Sequence, residues 1–180
     1  MDLIKVFCSK NNKFLNDNVS ILVIGSSENR NRIINDDYLD MPQLINSDGS
    51  IYDDKIEPSD FDISKNIIFK KISEITNIND IDNFKYLTVD PTYDNTLRNI
   101  NIKDNVNYKG HISSMFHQIN DDKINDCNVI CVVGCYKDFF DETNILKISN
   151  ILEKNGGYLL ICDTVIYNID KLFIKKYNNY

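Results

Sequence analysis

Runs of apolar residues alternate with polar segments along the chain, and the length of each run indicates the element it forms. Four runs are short, almost continuously apolar and bounded by polar or turn residues, which is typical of parallel strands buried on both faces. Two of them, 19–24 and 128–133, are the most apolar and are predicted to be neighbours at the centre of the sheet. The others are 85–89 and 158–162, with a weaker fifth candidate at 106–108.

Two segments between these strands have the spacing of amphipathic helices, at 67–75 and 145–152. A third, weaker helix is indicated by Met115, Phe116 and Ile119. Strand–helix–strand units joined by right-handed crossovers build a parallel sheet. The pattern therefore predicts a doubly wound, mainly parallel α/β fold, and the 180 residues are enough for one domain with one core.

Residues 35–64 fit neither the helical nor the strand period. They hold two of the three prolines, many acids and a Ser-Asp-Gly-Ser turn signal at 47–50. We predict a long inserted loop, of a length at which loops serve as lids, binding loops or disordered segments. Residues 165–180 are interpreted as a short C-terminal extension of the same domain.

Composition narrows the function classes. A formal net charge of −7 argues against broad nucleic-acid binding, which depends on clustered Lys and Arg. The chain lacks a signal-peptide pattern and any run of about 18 apolar residues, so we expect a cytoplasmic protein that does not span a membrane, with its five cysteines reduced. Abundant Ile, Asn, Asp, Lys and Tyr without Ala or Trp indicate an AT-rich genome, and a viral source is one hypothesis.

The most specific pattern is LKISNILEKNGGYLLICD, residues 146–163. A helix ends, Gly156 and Gly157 supply a positive-φ turn, and an apolar strand follows at once. This segment resembles the late helix, glycine turn and fifth strand of class I S-adenosylmethionine-dependent methyltransferases. The preceding residues resemble that family's fourth strand and its phenylalanine-containing turn, here at Phe139 and Phe140. A generic helix-to-strand turn of an α/β protein is the alternative interpretation.

The resemblance implies a Rossmann-type fold with S-adenosylmethionine as cofactor. VSILVIGSSENR becomes the first strand and its cofactor loop, in which Gly25, Ser26 and Ser27 lie against the cofactor. Asp90, which ends the KYLTVD stretch, falls where an acid accepts hydrogen bonds from the ribose hydroxyls. His111 falls where the family often has an acid that contacts adenine. A turn residue before a proline is the alternative for Asp90.

The chain also departs from the family. A Gly-x-Gly-x-Gly loop needs glycine at 25, 27 and 29, whereas Ser27 and Asn29 occupy the last two positions. Gly-Cys-Tyr-Lys at 134–137 replaces the Asn/Asp-Pro-Pro-aromatic tetrad of base-modifying amino methyltransferases, and Tyr136 and Lys137 there are the candidate acceptor contacts. The residues after Cys162 are too few for the family's last helix and antiparallel terminal hairpin.

Two functions stay open at this stage. One is methyl transfer from S-adenosylmethionine to an unidentified acceptor. The other is a catalytically inactive Rossmann-fold module, a regulatory or structural subunit whose partner is another protein or a second copy of itself. A hydrolase turn with Ser26 or Ser27 as nucleophile is a weaker third, since no Asp-x-x-His pair follows near the C-terminus. No metal site is expected from cysteines 127, 131 and 135. In a strand, each of them would lie about 13 Å from the next, too far for their sulfurs to bind the same zinc ion.

Overall fold

The computed structural model of the protein describes residues 4–11, 18–25, 29–30, 56–57, 60–90, 108–112, 114–134, 137–162 and 177–179. These residues form a mixed α/β structure with a mainly parallel sheet. The elements, in chain order, are β1 Ile4–Ser9, β2 Ser20–Ile24, β3 Asn29–Arg30, β4 Ile56–Glu57, α1 Asp60–Thr76, β5 Lys85–Val89, β6 Tyr108–Ile112, β7 Val129–Val133, α2 Glu142–Asn155, β8 Tyr158–Cys162 and β9 Tyr177–Asn179.

Seven strands form the main sheet, in the order β6-β5-β2-β7-β8-β1-β9. The five strands from β6 to β8 are parallel to one another, whereas β1 is antiparallel to both of its neighbours. The chain runs outward from β2 through β5 to β6, and then returns to the other side of β2 to form β7 and β8. The direction of winding therefore reverses between β2 and β7.

The pairing of β2 with β7 confirms that the two most apolar runs are neighbouring central strands. Ile21 pairs with Val129 and Ile24 with Val132, and every residue of both strands beyond Ser20 is buried. A strand at the centre of a sheet is covered on both faces, which explains why these runs are apolar at successive positions rather than at alternate ones.

Among the described residues, one long helix covers each face of the sheet. Strand side chains point alternately to the two faces, so each central strand contributes to two separate cores. The core under α1 includes Ile68, Ile72 and Ile75 together with Ile21 and Val23. The core under α2 contains the alternate strand residues, and its members include Leu22, Ile24, Ile130, Val132, Ile145, Ile148 and Leu152. The link from β2 to β5 and the link from β7 to β8 run in opposite directions, so right-handed crossovers require α1 and α2 on opposite faces.

The amino ends of β2, β7 and β8 are joined through Asn128. Its side-chain Oδ1 accepts from the Ser20 N–H at 2.9 Å and its Nδ2 donates to the Asn18 carbonyl at 3.0 Å. Its main-chain carbonyl accepts from the Tyr158 N–H at 3.0 Å. Gly157 lies directly against that carbonyl, since a Cβ at Gly157 would be 1.8 Å from the oxygen. The predicted glycine turn is therefore required by a close backbone contact as well as by its positive φ of 114°.

The connection between β6 and β7 is fastened to α2 by Lys147. Its ammonium forms an ion pair with Asp121 at 2.9 Å, donates to the Ile119 carbonyl and lies 5.6 Å from the centre of the Phe116 ring. This connection contains a 3₁₀ turn at Phe116–Gln118, so the α-helix predicted around Met115 is wrong. Too few apolar positions repeat there to sustain an α-helical period.

Other sequence-based boundaries also need correction. The loop predicted for 35–64 ends earlier, because Ile56–Glu57 pairs with Asn29–Arg30 and α1 begins at Asp60. The strand predicted at 106–108 is described from Tyr108 and continues to Ile112 through Gly110, which has a φ of 132°. The extension predicted at 165–180 includes the edge strand Tyr177–Asn179, and residues 31–55, 91–107 and 163–176 lie outside the described part.

No helix among the described residues is long and apolar enough to cross a membrane.

Replacing Gly157 with alanine tests the contact at the amino edge. We expect the free energy of unfolding to fall by about 2–6 kcal/mol, the sum of a positive-φ penalty and displacement of the Asn128 backbone. Gly110→Ala is the matched control, because Gly110 also has a positive φ but no atom of the described residues lies within 4 Å of its added Cβ. That variant should lose only about 1–3 kcal/mol. Urea denaturation measures both, and equal losses would refute the role of the contact.

Candidate functional site

The carboxyl ends of the five parallel strands lie at one edge of the sheet, and ligands of such sheets bind where the winding reverses. Here the reversal lies between β2 and β7, and a glycine follows each of these two strands. Gly25 has a φ of 84° and Gly134 a φ of 55°. The Gly25 N–H donates to the Val89 carbonyl at 3.0 Å and the Gly134 N–H to the Cys162 carbonyl at 3.2 Å. Both central strands thus end in bare backbone, which a ligand can approach closely.

Asp90 lies at the same edge, directly after β5 and next to the end of β2. Its main-chain N–H donates to the Ile112 carbonyl at 3.2 Å, which holds the residue in line with the strand ends. Only 7% of the residue is exposed. A carboxylate can accept hydrogen bonds from two neighbouring hydroxyl groups, so Asp90 suits a ligand with a vicinal diol.

The chain leaves β7 through a short 3₁₀ turn at Lys137–Phe140, which we call the exit turn. Asp141 then caps α2, accepting from the main-chain N–H of Asn144 at 2.7 Å. The side chain of Asn144 donates to the Phe139 carbonyl at 2.8 Å. The Phe139 ring packs on Phe140, with centres 5.1 Å apart, so the turn is held by hydrogen bonds and by ring packing.

The structure brings several of the sequence-predicted residues to this edge. Gly25 and Asp90 end adjacent strands, and Lys137 begins the exit turn. His111 lies in β6, opposite Thr88 of β5 and one residue before the strand ends. Ser26, Ser27 and Tyr136 lie outside the described residues.

Sequence reasoning missed Gly134 and Asn144 as residues of this edge. Gly134 had a usable signal, because Val132-Val133-Gly134 repeats the pattern of Val23-Ile24-Gly25 on the neighbouring strand. Asn144 had none. It is one of many asparagines in the chain, and its role depends on a carbonyl brought to it by the exit turn.

The region after Gly25 differs from a glycine-rich cofactor loop. Asn29, where the third glycine would stand, begins strand β3 and pairs with Glu57. Residues 26–59 separate Gly25 from the start of α1, so the helix does not follow the glycine turn directly. In dinucleotide-binding folds, a glycine turn and the helix that immediately follows it bind a phosphate group together. The arrangement here does not favour such a phosphate site.

The buried cysteines lie away from this edge or within the cores. Cys127 belongs to the core under α2 and Cys131 to the core under α1, so these two sulfurs face opposite sides of the sheet and cannot bind one ion. The Cys131 Sγ lies 3.6 Å from the Cys162 Sγ inside the core. Within the described ranges, no three His, Cys, Asp or Glu side chains are grouped as metal ligands, and Cys135 lies outside those ranges.

Comparisons with protein-family models, with curated proteins and with solved structures find no match for this chain.

Cys127 gives the protein a specific dependence on alkaline pH. Burial raises the pKa of its thiol from 9.0 to about 11, against a smaller lowering by its hydrogen bond with Ser20. As pH rises, the unfolded chain loses the Cys127 proton before the folded protein does. The contribution of Cys127 to stability is therefore complete below pH 9 and is lost as pH rises through 11. The loss is about 1.4 kcal/mol per pH unit between these values.

Urea denaturation of the wild type and Cys127→Ala between pH 8 and pH 11 measures this contribution. The free energy of unfolding should fall less steeply above pH 9 in the variant than in the wild type. Parallel curves for the two proteins would show that Cys127 does not contribute.

Proposed function

We propose that this chain is a class I methyltransferase-like protein that binds S-adenosylmethionine at the carboxyl edge of its sheet. The observation that carries the proposal is the arrangement of three strand ends. The two strands at the winding reversal each end in a positive-φ glycine, Gly25 and Gly134, and the buried acid Asp90 ends the next strand. Bare backbone beside a carboxylate fits a nucleoside with free ribose hydroxyls.

The strand order supports the same proposal. Counted along the chain, the five parallel strands stand in the order third, second, first, fourth, fifth, which is the order of doubly wound nucleotide-binding sheets. The resemblance also implies an antiparallel strand beyond the fifth. In this chain β1 takes that place, antiparallel to β8, although it precedes the parallel strands in the sequence. We therefore propose a doubly wound, methyltransferase-like fold in which the first strand replaces a late one.

The proposal gives a role to Asp90, to Gly25 and to the exit turn. Asp90 accepts hydrogen bonds from both ribose hydroxyls, while Gly25 leaves room for the ribose and the methionine part. Bound S-adenosylmethionine supplies an electrophilic methyl group, which passes to a nucleophilic atom of the acceptor and leaves S-adenosylhomocysteine. The protein's part is to hold the two reactants in line, so few side chains are strictly required. We assign the acceptor to the region of the exit turn, which begins at Lys137 after the carboxyl end of β7.

A second candidate function is a catalytically inactive module that binds another protein or a second copy of itself. It is favoured by the region after Gly25, where Asn29 forms a strand in place of a third glycine. In the family that the chain resembles, the third glycine leaves the backbone open to a close-lying cofactor. The two candidates differ in one measurable property, the binding of S-adenosylmethionine.

Isothermal titration calorimetry of the full chain with S-adenosylmethionine and S-adenosylhomocysteine separates them without knowledge of the acceptor. The proposed function requires saturable binding of both ligands at one site per chain. Absence of binding heat at millimolar ligand would remove the proposal and leave the inactive module.

The role of Asp90 gives a sharper test. Asp90→Ala should weaken the binding of S-adenosylhomocysteine by about 1.5–3 kcal/mol, the range for hydrogen bonds to a charged group. Asp82→Ala is the matched control. It removes an exposed acid from the turn before the same strand, at the opposite edge of the sheet, and should leave affinity unchanged. Equal affinity of Asp90→Ala and the wild type would show that the acid does not contact the ligand.

A further inference from the structure

The C-terminal end of α2 contains the only asparagine–glycine pair in the sequence, Asn155-Gly156. Both nitrogen atoms of this pair that matter for its chemistry form hydrogen bonds. The Asn155 Nδ2 donates to the Cys127 carbonyl at 2.8 Å and also to the Asn125 carbonyl. The main-chain N–H of the buried Gly156 donates to the Leu152 carbonyl at 2.9 Å. These bonds attach the end of the helix to the segment that leads into β7.

An asparagine that precedes a glycine can lose its side-chain amide without an enzyme. Here the Gly156 nitrogen would give up its proton and attack the Asn155 Cγ, the bond from Cγ to Nδ2 would break, and ammonia would leave. Water then opens the cyclic imide to aspartate or isoaspartate, so the net reaction consumes water and releases ammonia. Glycine favours the ring closure, because it has no Cβ beside the attacking nitrogen.

The folded structure keeps the reacting atoms of this pair apart. Asn155 is the last residue of α2. Side chains on a helix tilt toward its N-terminus, whereas the Gly156 nitrogen follows in the opposite direction. That nitrogen also keeps its proton in the bond to Leu152. Ring closure therefore requires the end of α2 to unwind and to leave the carbonyls of Asn125 and Cys127.

We infer that Asn155 is a site of spontaneous deamidation, which becomes reactive when the C-terminal end of α2 detaches from the segment before β7. The reaction makes this local opening irreversible. An aspartate product has no donor for the Asn125 and Cys127 carbonyls, and its negative charge lies at the unfavourable end of the helix dipole. The modified helix end should therefore bind the segment before β7 more weakly. This inference is independent of the proposed function.

Mass spectrometry of the digested full chain, after ageing at mildly alkaline pH, measures deamidation at residue 155. We expect the reaction in native buffer to be at least roughly tenfold slower than in urea, because only the open fraction of the protein reacts. Equal rates in native buffer and in urea would overturn the inference.

A pair of variants separates opening of the helix end from global unfolding. Ile151→Ala removes a buried side chain of α2 near Asn155, whereas Ile68→Ala removes one of α1 on the other face of the sheet. At urea concentrations that give both variants the same free energy of unfolding, Ile151→Ala should deamidate roughly threefold faster or more. Equal rates would show that global unfolding alone controls the reaction and would overturn the inference. Valine at the same two positions replaces alanine if either variant does not fold.

The effect of the product is measured by urea denaturation of Asn155→Asp and Asn155→Ala. Both variants lose the two donated bonds, but the aspartate also places a charge against the carbonyls, so its denaturation midpoint should be lower. Asn150→Asp and Asn150→Ala are the matched controls on the exposed side of the same helix, and they should differ less. An equal difference at the two positions would contradict the weakening assigned to the product.

Discussion

The parallel pairing of β2 with β7 is the contact on which the rest of the structure depends. It joins the strand that begins one winding direction to the strand that begins the other. Asn128 fixes this pair at the amino edge, because its side chain and main chain bond to β2 and β8. A shift of β7 by one residue against β2 would turn the side chains of one strand to the opposite core and would change the positions of Gly25 and Gly134 relative to each other. The register therefore determines the two cores and the carboxyl edge together.

The central part of the fold could be predicted from the sequence, because strands buried on both faces must be apolar at nearly every position. The outer strands gave weaker patterns. β1 contains Lys5 within its apolar run, and β9 is the polar stretch Tyr177–Asn179, so neither resembles a buried strand. Their places are set by main-chain hydrogen bonds between β1 and its two neighbours. Such bonds leave no pattern in the side chains.

The candidate site shows the same division between local and tertiary signals. Gly25 and Asp90 each end an apolar strand, so their chemistry and their position could both be predicted from neighbouring residues. Gly134 carried the same local pattern but was read only as a departure from a family motif. Asn144 could not have been found, because its partner is a carbonyl five residues earlier whose direction depends on the exit turn. The end of an apolar strand can be predicted from the sequence, whereas the side chain that hydrogen-bonds to a turn cannot.

The bulge in β6 has a consequence for how the protein behaves among other chains. Within the described residues, β6 pairs on one side only, with β5, and Lys109 is an extra residue between the pairs formed by Tyr108 and Gly110. Lys109 is exposed, and Gly110 adopts a φ of 132°. A flat outer strand offers a row of donors and acceptors to which a foreign strand can add, and a bulge with a charged side chain disrupts that row. This irregularity makes the described edge of β6 a poor template for the addition of a foreign strand.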